Sequence, residues 1–300
     1  MQENILSIRN LKKIYHDLNG ETVAIDNLNI DIKDKEIVDK DITDEKVNVE
    51  IKESSTIETM KALKEDERLD DLELDNLMII QRKNGYKFST DSVLLSNFAK
   101  AKPSDVCVDL CSGGGVVAIL FSYKNKVRKM YAVEIQEHQA EMSRRSIEYN
   151  KLNIEVINDD LKNLKQIFGA ETIDVITVNP PYNKVGETSE IDEIAISTHE
   201  IKTNLEEIAK ASSTALKFGG KFYMVHRADR LADIISSLTK YNLEPKVLRV
   251  VYPKITKEPN LVLIEAKKGA KSGLKIMRPL ILNNEDGTET DELKQIYGRK

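Results

Sequence analysis

The sequence predicts an α/β protein: a mostly parallel, doubly wound sheet of seven strands with an antiparallel edge strand, plus a small β-rich N-terminal extension. Three observations predict it. From about residue 104, short apolar segments alternate with helical stretches, the rhythm of parallel strands joined by crossover helices. A glycine-rich turn, Ser112-Gly113-Gly114-Gly115, follows the first of these strands. Polar residues suited to chemistry then recur just after the next three strands, where an open α/β sheet places its ligand.

The strands are expected at Val106 to Leu110, Met130 to Glu134, Ile154 to Ile157, Ile173 to Val178, Lys221 to His226, Lys246 to Tyr252 and Asn260 to Ala266. Helices are expected from Val116, over Glu137 to Leu152, Leu161 to Phe168, Glu200 to Leu216 and Asp229 to Tyr241. The last two strands have no helix between them, so they should pair antiparallel at one edge. Leu274 to Leu282 and a short helix ending at Tyr297 complete the chain. Upstream, Asp75 to Lys83 and Gly85 to Phe88 suggest a hairpin around Lys83-Asn84-Gly85, followed by a helix over Asp91 to Ala99 capped near Thr90 or Asp91. The front end suggests short strands at Ile5 to Ile8, Thr22 to Ile25 and Leu28 to Ile32, with Asn19-Gly20 as a hairpin turn. Residues 39–64 are charged and lack a sustained apolar face. They suggest a linker, with a helix over Ser55 to Glu67.

Of the 300 residues, 40% are apolar and 32% charged, enough apolar material for a packed core and against global disorder. The formal charge of -5 is uneven: residues 1–80 hold 11 Lys and Arg against 21 Asp and Glu, leaving 34 against 29 in residues 81–300. Apolar runs such as Val116 to Phe121 fall far short of the roughly 20 residues of a membrane span, and the N-terminus shows no signal pattern. Along one strand, Cys107 and Cys111 would stand roughly 13 Å apart, too far for a disulfide. No zinc-spaced His/Cys cluster occurs. A reduced, cytoplasmic protein without a metal is expected.

Four features carry the chemistry. The run Asp109-Leu110-Cys111-Ser112-Gly113-Gly114-Gly115 lets backbone approach a nucleoside without a Cβ clash, although an ordinary strand-to-helix turn would look similar. Glu134 closes the second strand, 19 residues after Gly115, near the offset at which a carboxylate accepts from ribose hydroxyls. A surface glutamate is the plainer alternative. Asn158-Asp159-Asp160 follows the third strand, where a carboxylate can accept from an adenine amine or cap the next helix.

Asn179-Pro180-Pro181-Tyr182 follows the fourth strand. Two prolines fix φ and remove two N–H donors, leaving a stiff turn rich in carbonyl acceptors. The Asn179 amide oxygen and the Pro180 carbonyl can accept from one –NH2 group. Holding both hydrogens draws a conjugated nitrogen toward tetrahedral geometry and aims its lone pair. Tyr182 offers a ring for stacking a planar substrate. His16, His138, His199 and His226 make no nucleophile arrangement.

Residues 65–299 resemble the bacterial tRNA1(Val) (adenine-37-N6)-methyltransferase family, a Rossmann-like class I group with an NPPY motif. The likeness rests on Asp66 to Leu72, Gly85 to Leu95, the four features above, Phe222 to Arg227 and Pro259 to Glu265. It implies S-adenosyl-L-methionine as cofactor. Asp109, Cys111, Gly113 and Gly115 would then lie near its methionine part, Glu134 near the ribose and Asp160 near the adenine. Phe88 and Asp91 would lie on the cofactor side, Asn179 would face both cofactor and substrate, and Asn179, Pro180, Pro181 and Tyr182 would hold the target amine. Cys111 stands where many members have glycine, and Gly114 adds freedom to the turn. Thr198, before His199, replaces a usual arginine and removes a possible phosphate contact. Residues 5–38 resemble the start of an ABC-transporter ATPase domain that stops before its P-loop, since no G-x-x-x-x-G-K-[ST] occurs.

The Asn-Pro-Pro-Tyr turn alone would suit adenine N6, cytosine N4 or a glutamine amide. Residues 241–280 carry nine Lys and Arg against three Glu, which suits RNA phosphates near the substrate-side edge or a solvated surface. An RNA adenine-N6 methyltransferase acting on a tRNA anticodon loop is therefore expected. The alternatives are a release-factor-type glutamine methyltransferase and a non-catalytic nucleotide- or RNA-binding protein.

Overall fold

Strands buried on both faces need apolar residues at successive positions, and those from residue 106 onward have them. The computed structural model describes residues 4–17, 20–33, 63–84, 88–181 and 204–299. The chain divides into two units, Met1–Lys52 and Glu53–Lys300.

The first unit contains an antiparallel pair, β1 (Asn4–Asp17) and β2 (Gly20–Lys33), with Asp17 opposite Gly20. The three short strands expected here are two long ones, with register shifts that absorb the sequence's irregular alternation. Asn19 lies outside the described residues. So do residues 34–62, which hold the end of the 1–38 segment, almost all of the charged 39–64 stretch and most of the helix expected from Ser55.

The second unit opens with a hairpin of β3 (Glu67–Asp71) and β4 (Met78–Arg82). This corrects one expectation and adds to another. Glu67 begins a strand rather than ending a helix, and β4 pairs with the segment before it, while residues 85–87 of the partner strand expected after it lie outside the described residues. The run Glu67-Arg68-Leu69-Asp70-Asp71 has no apolar alternation to announce a strand. A tertiary contact holds it: Arg145 donates to both Glu67 carboxylate oxygens at 2.7 Å. Burial would raise the Glu67 carboxyl, but the hydrogen bonds from Arg145 and the Lys64 amide, with the charges of Arg145 and Lys64, together hold the group below its usual value.

Next come α1 (Thr90–Phe98), β5 (Val106–Leu110), α2 (Val116–Asn125), β6 (Lys129–Glu134), α3 (Glu137–Tyr149) and β7 (Ile154–Asn158). A 3-10 turn, Leu161–Asn163, leads into α4 (Leu164–Phe168) and β8 (Ile173–Val178). Then follow α5 (Leu205–Ala215), β9 (Leu216–Arg227), α6 (Leu231–Lys240), β10 (Leu243–Lys254) and β11 (Leu261–Lys268). The chain closes with β12 (Lys275–Ile276), β13 (Leu280–Asn283) and α7 (Asp291–Ile296).

The sheet order is β12-β10-β11-β9-β8-β5-β6-β7, with β13 also on β10. The seven expected strands are all present, and β12 and β13 add two short parallel pieces outside β10. Among the described strands of this sheet only β11 runs antiparallel; β10 and β11 pair antiparallel as expected, but β11 is interior rather than the edge strand. It lies between β9 and β10, because α6 carries the chain from β9 past one vacant position and the short β10–β11 turn folds it back into that gap.

Side chains alternate between two cores. Tyr223, Val225 and Leu263 pack with α1 and α2, while Phe222, Met224 and Ile264 pack with α5 and α6. Strand order reverses between β5 and β8, which opens the crevice at their C-terminal ends.

Candidate active site

The glycine turn leaves β5 in left-handed backbone, with φ of +52° at Cys111, +53° at Gly113 and +92° at Gly115. Glycine adopts that region without strain, whereas Cys111 holds it with a side chain. Gly113 and Gly115 are needed for different reasons. A Cβ on Gly115 would collide with the buried Ser143 hydroxyl of α3, whereas a Cβ on Gly113 would enter open space. Gly115 permits close helix packing, and Gly113 leaves room above the turn.

Glu134 and Asp109 flank this turn. The Glu134 carboxylate accepts from the Gly113 amide at 2.8 Å and from the Gln136 amide at 2.8 Å. It is a buried brace that shapes the turn, not a surface glutamate. Asp109 is 1% exposed, and its Oδ1 accepts from Thr177 of β8 at 2.7 Å. Its Oδ2 is buried with no hydrogen-bond partner among the described residues. Burial pushes the Asp109 carboxyl up to about 8; the Thr177 bond lowers it and the nearby Glu134 charge raises it. The Ala118 backbone N–H of α2 also lowers the carboxyl, and a buried carboxylate oxygen at the end of β5 is a place where a cationic donor would be compensated.

Asp160 caps the turn after β7. It accepts from the Lys162 amide at 2.9 Å and pairs with its ammonium at 3.2 Å. Asp159 is tied to the end of β6 through its amide and the Glu134 carbonyl, 3.1 Å apart. Capping is thus realised, and the three strand ends are linked by direct hydrogen bonds.

Asn179 leaves β8 two residues after Thr177. Its Nδ2 donates to the Ser92 hydroxyl of α1 at 3.0 Å, which fixes the amide plane and turns Oδ1 away from Ser92. Pro180 is buried and Pro181 half-buried. Tyr182, Thr198 and His199 lie outside the described residues. Asp91 sits in the first turn of α1 beside Ser92, and Phe88 packs on the core near α1 and α2.

The residue patterns did not reveal Thr177, Ser92 or Ser143, whose hydroxyls carry no motif. Nor did they reveal that the β3–β4 hairpin backs the site. Ser146 accepts from the Ile80 amide at 2.9 Å, and Asn150 clamps Met78 through both amide atoms, at 2.9 and 2.7 Å. His226 is a core residue: Nδ1 accepts from the Arg227 amide at 2.8 Å, and burial lowers its pKa to about 4. The basic run 241–280 does not form one patch at the substrate side. The β10–β11 hairpin leaves Lys254 and Lys257 at the crevice end and carries Lys267 and Lys268 to the opposite end, where Lys268 pairs with Glu171 at 3.0 Å. Among the described residues, no group of three His, Cys, Asp or Glu could hold a metal, and no helix is long and apolar enough to cross a membrane.

Residues 88–235 match the family model of the methyltransferase small domain. With the sheet order and the crevice, this makes the chain an S-adenosylmethionine-dependent methyltransferase of the α/β class I fold. Among individual proteins it is similar to the tRNA1(Val) (adenine(37)-N6)-methyltransferases of Porphyromonas gingivalis, 25% identical over 60% of this chain and 73% of the relative, and of Haemophilus influenzae, 26% over 63% and 81%. That of Aeromonas hydrophila is 22% identical over 70% and 88%. The crystal structure of a predicted O-methyltransferase from Agrobacterium tumefaciens shares the fold, with a TM-score of 0.57 at 18% identity over 69% of this chain and 95% of that one.

Proposed function

We propose that this methyltransferase modifies N6 of an adenine in RNA, with a tRNA anticodon-loop adenine as the substrate. The observation that carries this is the stiff Asn179-Pro180-Pro181 turn at the end of β8, its amide held by Ser92. Asn179 Oδ1 and the Pro180 carbonyl would accept both hydrogens of the amine, and Tyr182 would stack on the ring. The cofactor supplies an activated methyl on a sulfonium. The amine held by Asn179 and Pro180 would take that methyl onto its lone pair, the sulfur keeping the electrons of its broken C–S bond, and would lose its extra proton afterwards.

Asp109, Cys111, Gly113 and Gly115 would hold the methionine part of the cofactor, Glu134 the ribose and Asp160 the adenine, with Phe88 and Asp91 closing that side. The orphaned Asp109 oxygen and the open space over Gly113 support this assignment. The similar tRNA1(Val) enzymes support the RNA substrate. Within this proposal, residues 65–300 form the catalytic domain, which works in the cytoplasm behind the charged 39–64 stretch.

The test is transfer of a tritiated methyl group to tRNA from a strain lacking the modification, with modified nucleosides mapped by mass spectrometry. N6-methyladenosine in the anticodon loop is expected. Label on a release factor and none on tRNA would favour glutamine methylation, and no transfer despite cofactor binding would leave only a binding protein.

A further inference from the structure

The outer edge of the sheet, beside β10, differs from the rest of the surface. Residues 266–284 carry Lys267, Lys268, Lys271, Lys275 and Arg278 and no Asp or Glu. Nine consecutive residues, 271–279, are exposed. Between their cations stand Leu274, Ile276 and Met277, with Ile276 67% exposed. At the head of this strap lies Phe218, 77% exposed, its ring over the side-chain-free face of Gly269. An exposed apolar row on a sheet edge is a liability unless something covers it. Charge decides what covers this one.

The strap also has a direction. Lys275 and Ile276 lie opposite Val247 and Leu248, and Leu280 to Asn283 opposite Val251 to Lys254. It therefore runs parallel to β10 toward the crevice end of the sheet. Three strand spacings, roughly 14 Å, separate β10 from β8 and its Asn179 turn.

We propose that this edge strap is an RNA-binding track that feeds the substrate toward the Asn179 turn. Lys271, Lys275 and Arg278 meet phosphates, while Ile276, Met277 and Phe218 take the faces of unstacked bases. This rests on the RNA reading of the active site and adds where the RNA lies outside it.

The experiment is fluorescence-anisotropy titration of labelled, unmodified tRNA against the full chain and a Lys271→Glu/Lys275→Glu/Arg278→Glu variant, over a range of salt. All three positions are exposed, so folding is checked by melting temperature alone. The variant should bind tRNA at least tenfold more weakly, with the slope of log affinity against log salt reduced by about 2 to 3 and S-adenosylmethionine affinity unchanged. Lys151→Glu, before β7 on the opposite side of the sheet, should change affinity less than threefold. Phe218→Ala should weaken binding several-fold without altering the salt slope.

Equal affinity and slope in the triple variant, with wild type binding tRNA, would overturn the track but leave the active-site reading standing. A wild-type protein that binds no RNA overturns both. A dimer in solution that Ile276→Glu dissociates, with tRNA binding unchanged, assigns the edge to a second copy and overturns the track.

Discussion

Two turns meet at the reversal of strand order, and they solve opposite problems. The turn after β5 is rich in glycine and positive φ, and it keeps its N–H groups. Gly113 donates to Glu134, and the Ser112 amide donates to the Val133 carbonyl at 3.1 Å. The turn after β8 replaces two N–H groups with proline rings and keeps its carbonyls. One is a close-approach surface whose named donors are spent on bracing the turn itself, and the other a stiff turn rich in carbonyl acceptors. Each also leans on a different neighbour, the first on α3 and the β3–β4 hairpin, the second on α1 through Ser92. In the proposed function the first turn would face the cofactor and the second the target amine.

Separate damage to each turn tests that division. The largest effect is expected from Asn179→Ala, which removes the acceptor: methyl transfer should fall by about 10³-fold, the scale of losing one charge-stabilising group. Cofactor affinity measured by calorimetry should stay within a few-fold, and normal turnover would sink the amine-holding role. Gly115→Ala comes next. Its Cβ meets Ser143 and its φ is +92°, so stability should drop by about 2 to 3 kcal/mol. Pairing it with Ser143→Gly should recover part of the loss in a melting experiment. Gly113→Ala has open space instead, so cofactor affinity should suffer more than the melting temperature. If both glycine variants behave alike, the distinction between packing and ligand room is wrong.

Ser92→Ala should lower kcat by about fivefold, the value of one hydrogen bond near 1 kcal/mol, with KM for the cofactor unchanged. Ser92→Thr keeps the hydroxyl and should restore much of it. A loss of melting temperature that tracks the loss of kcat would instead mark Ser92 as merely structural.

A different kind of test concerns pH. Asp109 has a folded pKa of about 8 against an unfolded value near 3.9. The stability it contributes is therefore complete below about pH 4 and is lost as pH rises through 8. In cofactor-free protein, Asp109→Asn should flatten the decline of melting temperature between pH 5 and 8.5. An unchanged profile would mean that Asp109 is already ionised there.

Motif-bearing segments were legible because the chemistry constrains their own residues. The glycine run, Glu134 and Asn179 could be placed at strand ends from local pattern, and the structure puts them there. Their supports were not legible. Ser92 is 87 residues from Asn179, and Glu67 is 78 residues from Arg145. A hydroxyl or a charge gives no local sign of a partner that far along the chain. The charge run at 241–280 misled in the same way, since proximity in sequence did not survive a hairpin.

By itself, then, the sequence determined the α/β class, the seven strands of the main sheet to within about five residues at each end, and that the glycine run, Glu134 and Asn179 stand at strand ends. Periodicity and turn chemistry are local, and they follow from backbone sterics and burial. Only the tertiary structure decided that β11 enters between β9 and β10, that the β3–β4 hairpin braces α3, and that the basic residues divide between the two ends of the sheet and a strap along its edge. Those outcomes depend on which distant surfaces pair, and that is settled by the packing of the whole sheet rather than by any one stretch of chain.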